Sequence, residues 1–423
     1  MAETNPVSYP FVAWDILQHL FEVGKMNDHT LHFSATFAGR LDYERLKKAV
    51  DLSADVFPLI RCRFAEEGRR PRWVDMGFTS DDMVTLAETE HKEEAIQKFL
   101  CRKADLNGPQ LKVGVLRNTG DTLCVTINHM LCDAAGFKEF LYLLCSLYNG
   151  MESSPEYQRG SAVRNRRLKQ VLKSFSVSGK AKIFLRKNDL IHPDQTTFNF
   201  EGNLKNPFIE IRSIPQDDFR RLKAYAKAHG ATVNDVMLAA FFRALYRKYG
   251  RVFACPCTVD LRKHLPGRKA DGITNLVTML VCDIGPEPGA SFEDTLKKVN
   301  TAMNLAKSDT SSLKSILLLE MLFSFMPYRK ARKLLEKKFS NAPIAFTNIG
   351  ILNKGLLHFD GIIMESAFMS GSIKYAPHFQ VALSTFDDEA VLSVNLYGSV
   401  SDRKLIADFL DDFVGELNES PMK

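Results

Sequence analysis

A chain of 423 residues, 45% hydrophobic and 25% charged, is too long for one simple core and too ordinary in composition for disorder, a collagen repeat or a disulfide scaffold, so two packed subdomains are expected. Lysine and arginine (56) exceed aspartate and glutamate (50) by only six. The chain therefore lacks the dense positive field of a nucleic-acid binder, and any basic function must be local.

In chain order, the N-terminus has no cationic stretch leading into an apolar one, so no secretion signal is read. Helical periodicity predicts helices over 13–22 and 42–57, and strand patterning predicts strands over 30–37 and near 61–64. Strands over 111–116 and 123–127 and an apolar helix over 136–148 complete an α/β layout, closed by Asn149-Gly150. Residues 159–187 then carry ten lysines and arginines and no acidic residue; without them the net charge of +6 becomes −4. Leu168, Val171, Leu172 and Phe175 recur there at helical spacing, giving a basic helix one apolar edge. This reads either as a solvated linker helix or as an anion-facing surface for cofactor phosphate, an acidic carrier protein or a lipid surface.

The second part predicts a strand over 208–214 and a helix over 217–229. Thr232-Val-Asn-Asp235 resembles a capping box opening a helix over 236–249 that stops at Gly250. Strands over 252–259 and 275–284, helices over 292–306 and 313–338, strands over 343–348, 380–386 and 391–397, and an amphipathic helix over 402–417 follow. The expected organisation is an N-terminal subdomain over 1–158, a basic linker over 159–195 and a C-terminal subdomain over 196–423. The longest apolar run, 316–326, contains Glu320 and is too short for the roughly 20 residues of a membrane span. Eight cysteines lack paired metal spacing, so reduced thiols and a cytoplasmic location are expected.

The segment richest in chemistry is Leu123-Cys-Val-Thr-Ile-Asn-His129-Met-Leu-Cys-Asp133-Ala-Ala-Gly136. It sets a histidine at a strand end, an aspartate four residues on and a glycine just before an apolar helix. A histidine so placed projects into a cleft, and its ordinary pKa of about 6.5 suits it to take a proton near neutrality. The aspartate could orient it, share a metal with it, or pair with a distant arginine; the residues alone leave all three open. A triad lacks an evident activated nucleophile, since no GxSxG elbow is present, and a metal pair lacks a third ligand at sensible spacing. A purely structural histidine is the competing interpretation.

This segment resembles the active-site signature of the chloramphenicol acetyltransferase superfamily, which includes condensation domains of nonribosomal peptide synthesis, plant acyltransferases and stand-alone alcohol and lipid acyltransferases. Those proteins write it HHxxxDG or HxxxDG; here Asn128 takes the first histidine position, Ala134 follows the aspartate, and Gly136 comes two places later. Three further segments resemble the superfamily in order: Thr232 to Asp235 opening a helix, Thr258-Val-Asp-Leu-Arg262 at a strand end, and Phe346-Thr347-Asn348-Ile-Gly350 in a polar strand. The DFGWG loop of the plant enzymes is missing, and Phe386-Asp387-Asp388-Glu389 does not replace it.

The resemblance implies two α/β subdomains, each a mixed sheet flanked by helices, with a channel between them. It implies an acyltransferase moving an acyl group from acyl-CoA to a hydroxyl or amine on a small-molecule acceptor. His129 would be the general base, Asp133 a structural residue held by Arg262, and Thr347 and Asn348 candidates for the oxyanion. The metal expected is none, and acyl-CoA enters as co-substrate, with no bound cofactor. The alternatives are a condensation-type domain with donors on a carrier protein, docked at the basic segment, and a non-catalytic binding relative. Peripheral membrane contact through the basic segment stays open. His378 near Tyr375 and the apolar run 317–326 read more simply as an ordinary strand-edge residue and as core.

Overall fold

In a computed structural model, residues 6–66, 68–150, 160–185, 196–308, 311–338 and 342–419 are described. The chain opens with β1 (Ser8–Pro10), α1 (Ala13–Val23), β2 (Thr30–Phe37) and α2 (Tyr43–Val56), the last capped by the Asp42 carboxylate, which accepts from the Arg45 amide. β3 (Cys62–Ala65) and β4 (Arg72–Asp75) join β1 in a small sheet of order β1-β4-β3. Next come α3 (Ser80–Met83), β5 (Val84–Glu88), α4 (Lys92–Leu100), β6 (Leu111–Arg117), β7 (Asp121–Asn128) and α5 (Ala134–Tyr148).

All eight residues of β7 are buried, because the strand lies inside the first main sheet with both faces covered. His129 follows directly at its C-terminal end. That sheet runs β12-β2-β7-β6-β5, and its edge strand β12 (Met364–Ser370) comes from the C-terminal half of the chain. β12 pairs antiparallel with β2, while the Met369 amide donates to Ser384 Oγ in the second half (3.1 Å). The strand therefore stitches the two halves together beside the channel.

The segment expected as one basic helix is two short ones, α6 (Lys169–Lys173) and α7 (Val177–Leu185), separated at 174–176. Leu168 and Val171 are fully buried, and Leu172 and Phe175 pack on the first core. The cationic ends of the segment at 159 and 186–187 lie outside the described residues.

The second half contributes β8 (Pro207–Ile214), α8 (Gln216–Ala228), α9 (Val233–Tyr249), β9 (Cys255–Asp260), β10 (Val277–Cys282) and α10 (Phe292–Ser308). α9 has the capping box that the sequence predicts: the Thr232 amide donates to Asp235 Oδ2 (2.9 Å), the Asp235 amide donates to Thr232 Oγ1 (3.2 Å), and Gly250 ends the helix at φ 66°. Every residue from Val236 to Phe242 is buried, so α9 is the central helix of the second core.

The single helix expected over 313–338 is two, α11 (Ser311–Phe325) and α12 (Tyr328–Lys338), because Pro327 lacks the amide that would continue the first. The run 317–326 is correspondingly mixed: Leu317, Leu319 and Phe323 are buried, whereas Leu318, Met321 and Phe325 face solvent. The chain ends with β11 (Ile344–Leu352), β12, β13 (Lys374–Tyr375), β14 (Phe379–Phe386), β15 (Glu389–Tyr397) and α13 (Val400–Glu419). The second main sheet runs β10-β9-β11-β14-β15-β13, with β8 also paired to β15, and it combines parallel β11-β14 with antiparallel β14-β15. Two mixed sheets with their helices thus form the two halves. Among the described residues, no helix is long and apolar enough to cross a membrane.

Candidate active site

A cavity of about 390 Å³ opens between the halves. α1 supplies Trp14, Leu17 and Gln18; the end of β7 and the start of α5 supply His129, Asp133 and Lys138. β9 and β10 add Thr258, Asp260 and Met279, β11 adds Thr347 and Asn348, and the crossing segment after β12 adds Ser372, Lys374 and His378.

His129 is half-buried at this junction. Its Nδ1 lies 2.9 Å from the Cys132 carbonyl oxygen. A carbonyl only accepts, so Nδ1 carries the proton and Nε2 keeps its lone pair. Nε2 has the Gln18 amide nitrogen at 3.5 Å, a weak donor to that lone pair. Burial pushes the imidazole pKa below its ordinary 6.5, and the charge of Lys374 pushes the same way, against Asp133 and the backbone carbonyls. The ring is therefore neutral, with Nε2 unprotonated in a residue that lines the cavity.

Asp133 caps α5, its Oδ1 accepting from the Gly136 amide (2.8 Å). Its Oδ2 accepts from Arg262 Nη1 (2.9 Å) and from the Leu276 amide (2.7 Å). Both oxygens are thus committed to partners other than the imidazole. Arg262 also donates to the Thr274 carbonyl (2.9 Å) and to Asp260 (3.2 Å), and its Nε lies 3.5 Å from Glu139. Burial raises the Glu139 carboxyl to about 7, against the pull of Arg262. Gly136 is required by close approach: a Cβ there would stand 2.8 Å from both Cys132 Cβ and the Thr274 carbonyl oxygen.

Asn128, at the first histidine position of the superfamily pattern, is buried and turned into the protein. It donates to Gln110 Oε1 (2.6 Å) and accepts from the Met130 amide (2.9 Å). Thr347 and Asn348 both line the cavity although they are neighbours in one strand, where side chains normally alternate. Both stand in regular register, opposite Ala382 and Leu383, and the strand shifts register only beyond them, between Asn348 and Gly350. Asn348 accepts from the Gly350 amide (2.8 Å) and donates to Asn234 (3.3 Å), so its amide is largely committed to local structure. His378 also lines the cavity, with Nδ1 3.3 Å from the Tyr375 carbonyl oxygen.

Sequence reasoning missed three supports of the histidine loop. Arg166 donates to the Leu131 carbonyl (2.8 Å) and the Met130 carbonyl (3.2 Å) while holding Asp15 through two bonds of 2.9 and 2.8 Å. Asn275 donates to the carbonyls of His129 (3.0 Å) and Met130 (3.3 Å). The His129 amide itself donates to the His29 carbonyl oxygen. The positive charge counted as a local surface therefore includes one arginine that is buried and architectural. Neither Asn275 nor Gln18 carries a sequence signal.

No family model and no curated protein matches the chain. Solved structures do. Trichothecene 15-O-acetyltransferase from Fusarium sporotrichioides superposes with a TM-score of 0.70 at 14% identity, covering 98% of this chain and 95% of that one. The first condensation domain of the calcium-dependent antibiotic synthetase gives 0.68 at 15% identity over 99% and 98% of the two chains. The condensation domain of the monacolin K polyketide synthase gives 0.66 at 14% identity over 99% of each. The chain has the two-subdomain fold shared by chloramphenicol acetyltransferase-like enzymes and condensation domains.

Proposed function

We propose that the chain transfers an acyl group from a thioester, most simply acyl-CoA, to a hydroxyl or amine acceptor. The observation that carries this reading is His129: its Nδ1–H is fixed on the Cys132 carbonyl, which leaves Nε2 unprotonated at a cavity between two halves. Nε2 takes the acceptor proton as the acceptor oxygen or nitrogen attacks the thioester carbonyl. The tetrahedral intermediate collapses by breaking the carbon–sulfur bond, and the imidazolium returns the proton to the departing thiolate. Holding both substrates in one chamber supplies the proximity term.

Asp133 acts through architecture, since Arg262, Leu276 and Gly136 occupy its oxygens. Thr347 is the better oxyanion candidate of the pair, because the Asn348 amide already has Asn234 as acceptor. Cys132, the thiol nearest in sequence to His129, is buried with its pKa raised well above the ordinary value by desolvation, which disfavours a thiolate nucleophile. This supports direct transfer without a covalent acyl-enzyme.

The test is thiol release from a panel of acyl-CoAs and of acyl carrier-protein thioesters, with and without pooled alcohols and amines. Acceptor-dependent release from acyl-CoA supports the reading. Release from carrier thioesters alone would replace it with a condensation-type reaction, and release from neither would leave a binding role.

A further inference from the structure

The chamber holds a cation without a matching anion. Lys374, on β13, lines the same cavity as His129, and its Nζ donates at 3.4 Å to the neutral side-chain oxygen of Asn27. Among the described residues it makes no ion pair. The buried cations Arg166 and Arg262, by contrast, each meet a carboxylate, at 2.8 and 2.9 Å, and Lys138, the other lysine lining the cavity, is spent on the carbonyls of Ile349 (2.9 Å) and Ile351 (3.3 Å). A half-buried ammonium with only an amide partner is costly unless something else neutralises it.

The neighbouring carboxylate does not do so. Asp28 spends its oxygens on the amides of Thr30 (3.0 Å) and Ile373 (3.0 Å) and on the Tyr397 hydroxyl (3.4 Å). Burial raises its carboxyl to about 7, so near neutrality it is only partly charged. The ammonium responds accordingly, its pKa falling to about 8 through desolvation, against the pull of Asp28. Its charge is felt at both His129 and His378, which line the same cavity.

We infer that Lys374 is the counter-ion for a carboxylate on one of the two substrates, anchoring an acidic acyl group or acidic acceptor while its reacting atom meets His129 Nε2. Lys374 is on this account a specificity-determining residue. A carboxylate fits the position better than a CoA phosphate because the lysine is set inside the chamber, on the segment that crosses between the sheets. The inference rests on the acyl-transfer reading for what enters the chamber, but its test needs no turnover.

Trp14 lines the cavity and is one of two tryptophans in the chain, so its fluorescence reports occupancy. Two acid and neutral pairs serve as probes: hydroxyhexanoate against its amide for the acceptor, and succinyl-CoA against butyryl-CoA for the donor, with inorganic phosphate alongside. In the wild type the acidic member of one pair should bind at least about tenfold tighter, the size a charged hydrogen bond supplies. Lys374→Met, checked for an unchanged melting midpoint, should bring that ratio to about one. Lys374→Arg should restore it, and the responding pair identifies which substrate is acidic. Equal binding of both members by the wild type, no binding of any probe, a preference that survives Lys374→Met, or dependence on Lys374 seen with phosphate alone would each overturn the inference. Lys374-dependent acid binding in a protein whose thiol release ignores His129 would instead sink the transfer reading and leave this one standing.

Discussion

The carboxylate of Asp133 and the guanidinium of Arg262, 129 residues apart in sequence, meet at 2.9 Å where neither side chain is more than 3% exposed. The contact joins the cap of α5 in one half to the end of β9 in the other. Removing one member of such a buried pair strands the other's charge, at a cost of about 3–5 kcal/mol. Arg262→Met and Asp133→Ala should therefore each lower the thermal midpoint by several degrees, with loss of activity following loss of structure. A normally melting, fully active Asp133→Ala protein would show that the aspartate holds nothing together.

Arg166 makes a parallel demand on the basic segment. It connects Asp15 in α1 to the carbonyls of Met130 and Leu131, and burial already raises the Asp15 carboxyl above its ordinary range despite the arginine. Arg166→Met should destabilise by about 3–5 kcal/mol in denaturant titrations. Neutralising the exposed Lys169 or Lys173 should change stability by no more than about 0.5 kcal/mol.

Gly136 is held to its identity by distance, since backbone on one side and Cys132 on the other leave no room for a methyl group. Gly136→Ala should cost about 1–3 kcal/mol by overpacking. Adding Cys132→Gly should recover only part of that cost, because the Thr274 carbonyl remains.

The lowered pKa of His129 sets a pH profile. The native state favours neutral imidazole, so the base form persists into acid and the acid limb of kcat/KM should lie below pH 6.5. Lys374→Met removes a charge that helps lower this pKa, so it should move the limb upward, and the imidazole resonance in NMR should titrate with it.

Stability follows the same sign. His19, His29 and His32 are pushed down to about 4, 3 and 4, chiefly by burial, so the unfolded chain takes up their protons first and stability falls as pH drops below 6.5. Five carboxyls raised by burial, Asp15, Asp28, Glu139, Asp260 and Glu320, oppose this by holding protons in the native state, against six lowered histidines once His129, His264 and His378 are included. Chemical denaturation at pH 6.5 and pH 5 should give the lower stability at pH 5.

What the sequence revealed was mostly local. Thr232, Asp235 and Gly250 announce α9 because capping is settled within a few residues. Pro327 was an equally local signal, and it divides the helix that apolar periodicity alone would run through. β5 was invisible because four of its five residues are exposed, leaving no apolar alternation to detect. β12 belongs to a sheet whose other strands lie more than two hundred residues earlier, a pairing no local pattern encodes. In the site, His129 stood out by its place at a strand end, whereas Arg166 was hidden in a run of surface cations and its burial depends on Asp15, 151 residues away. Lys374 carried no signal at all, because its meaning lies in the missing carboxylate around it.

The most direct measurement is acceptor-dependent thiol release from acyl-CoA by the wild type and by His129→Ala, both checked for equal melting. If Nε2 is the base, the variant should lose at least about 10²-fold in rate while still binding acyl-CoA. Release that survives the substitution unchanged would contradict the account at its centre.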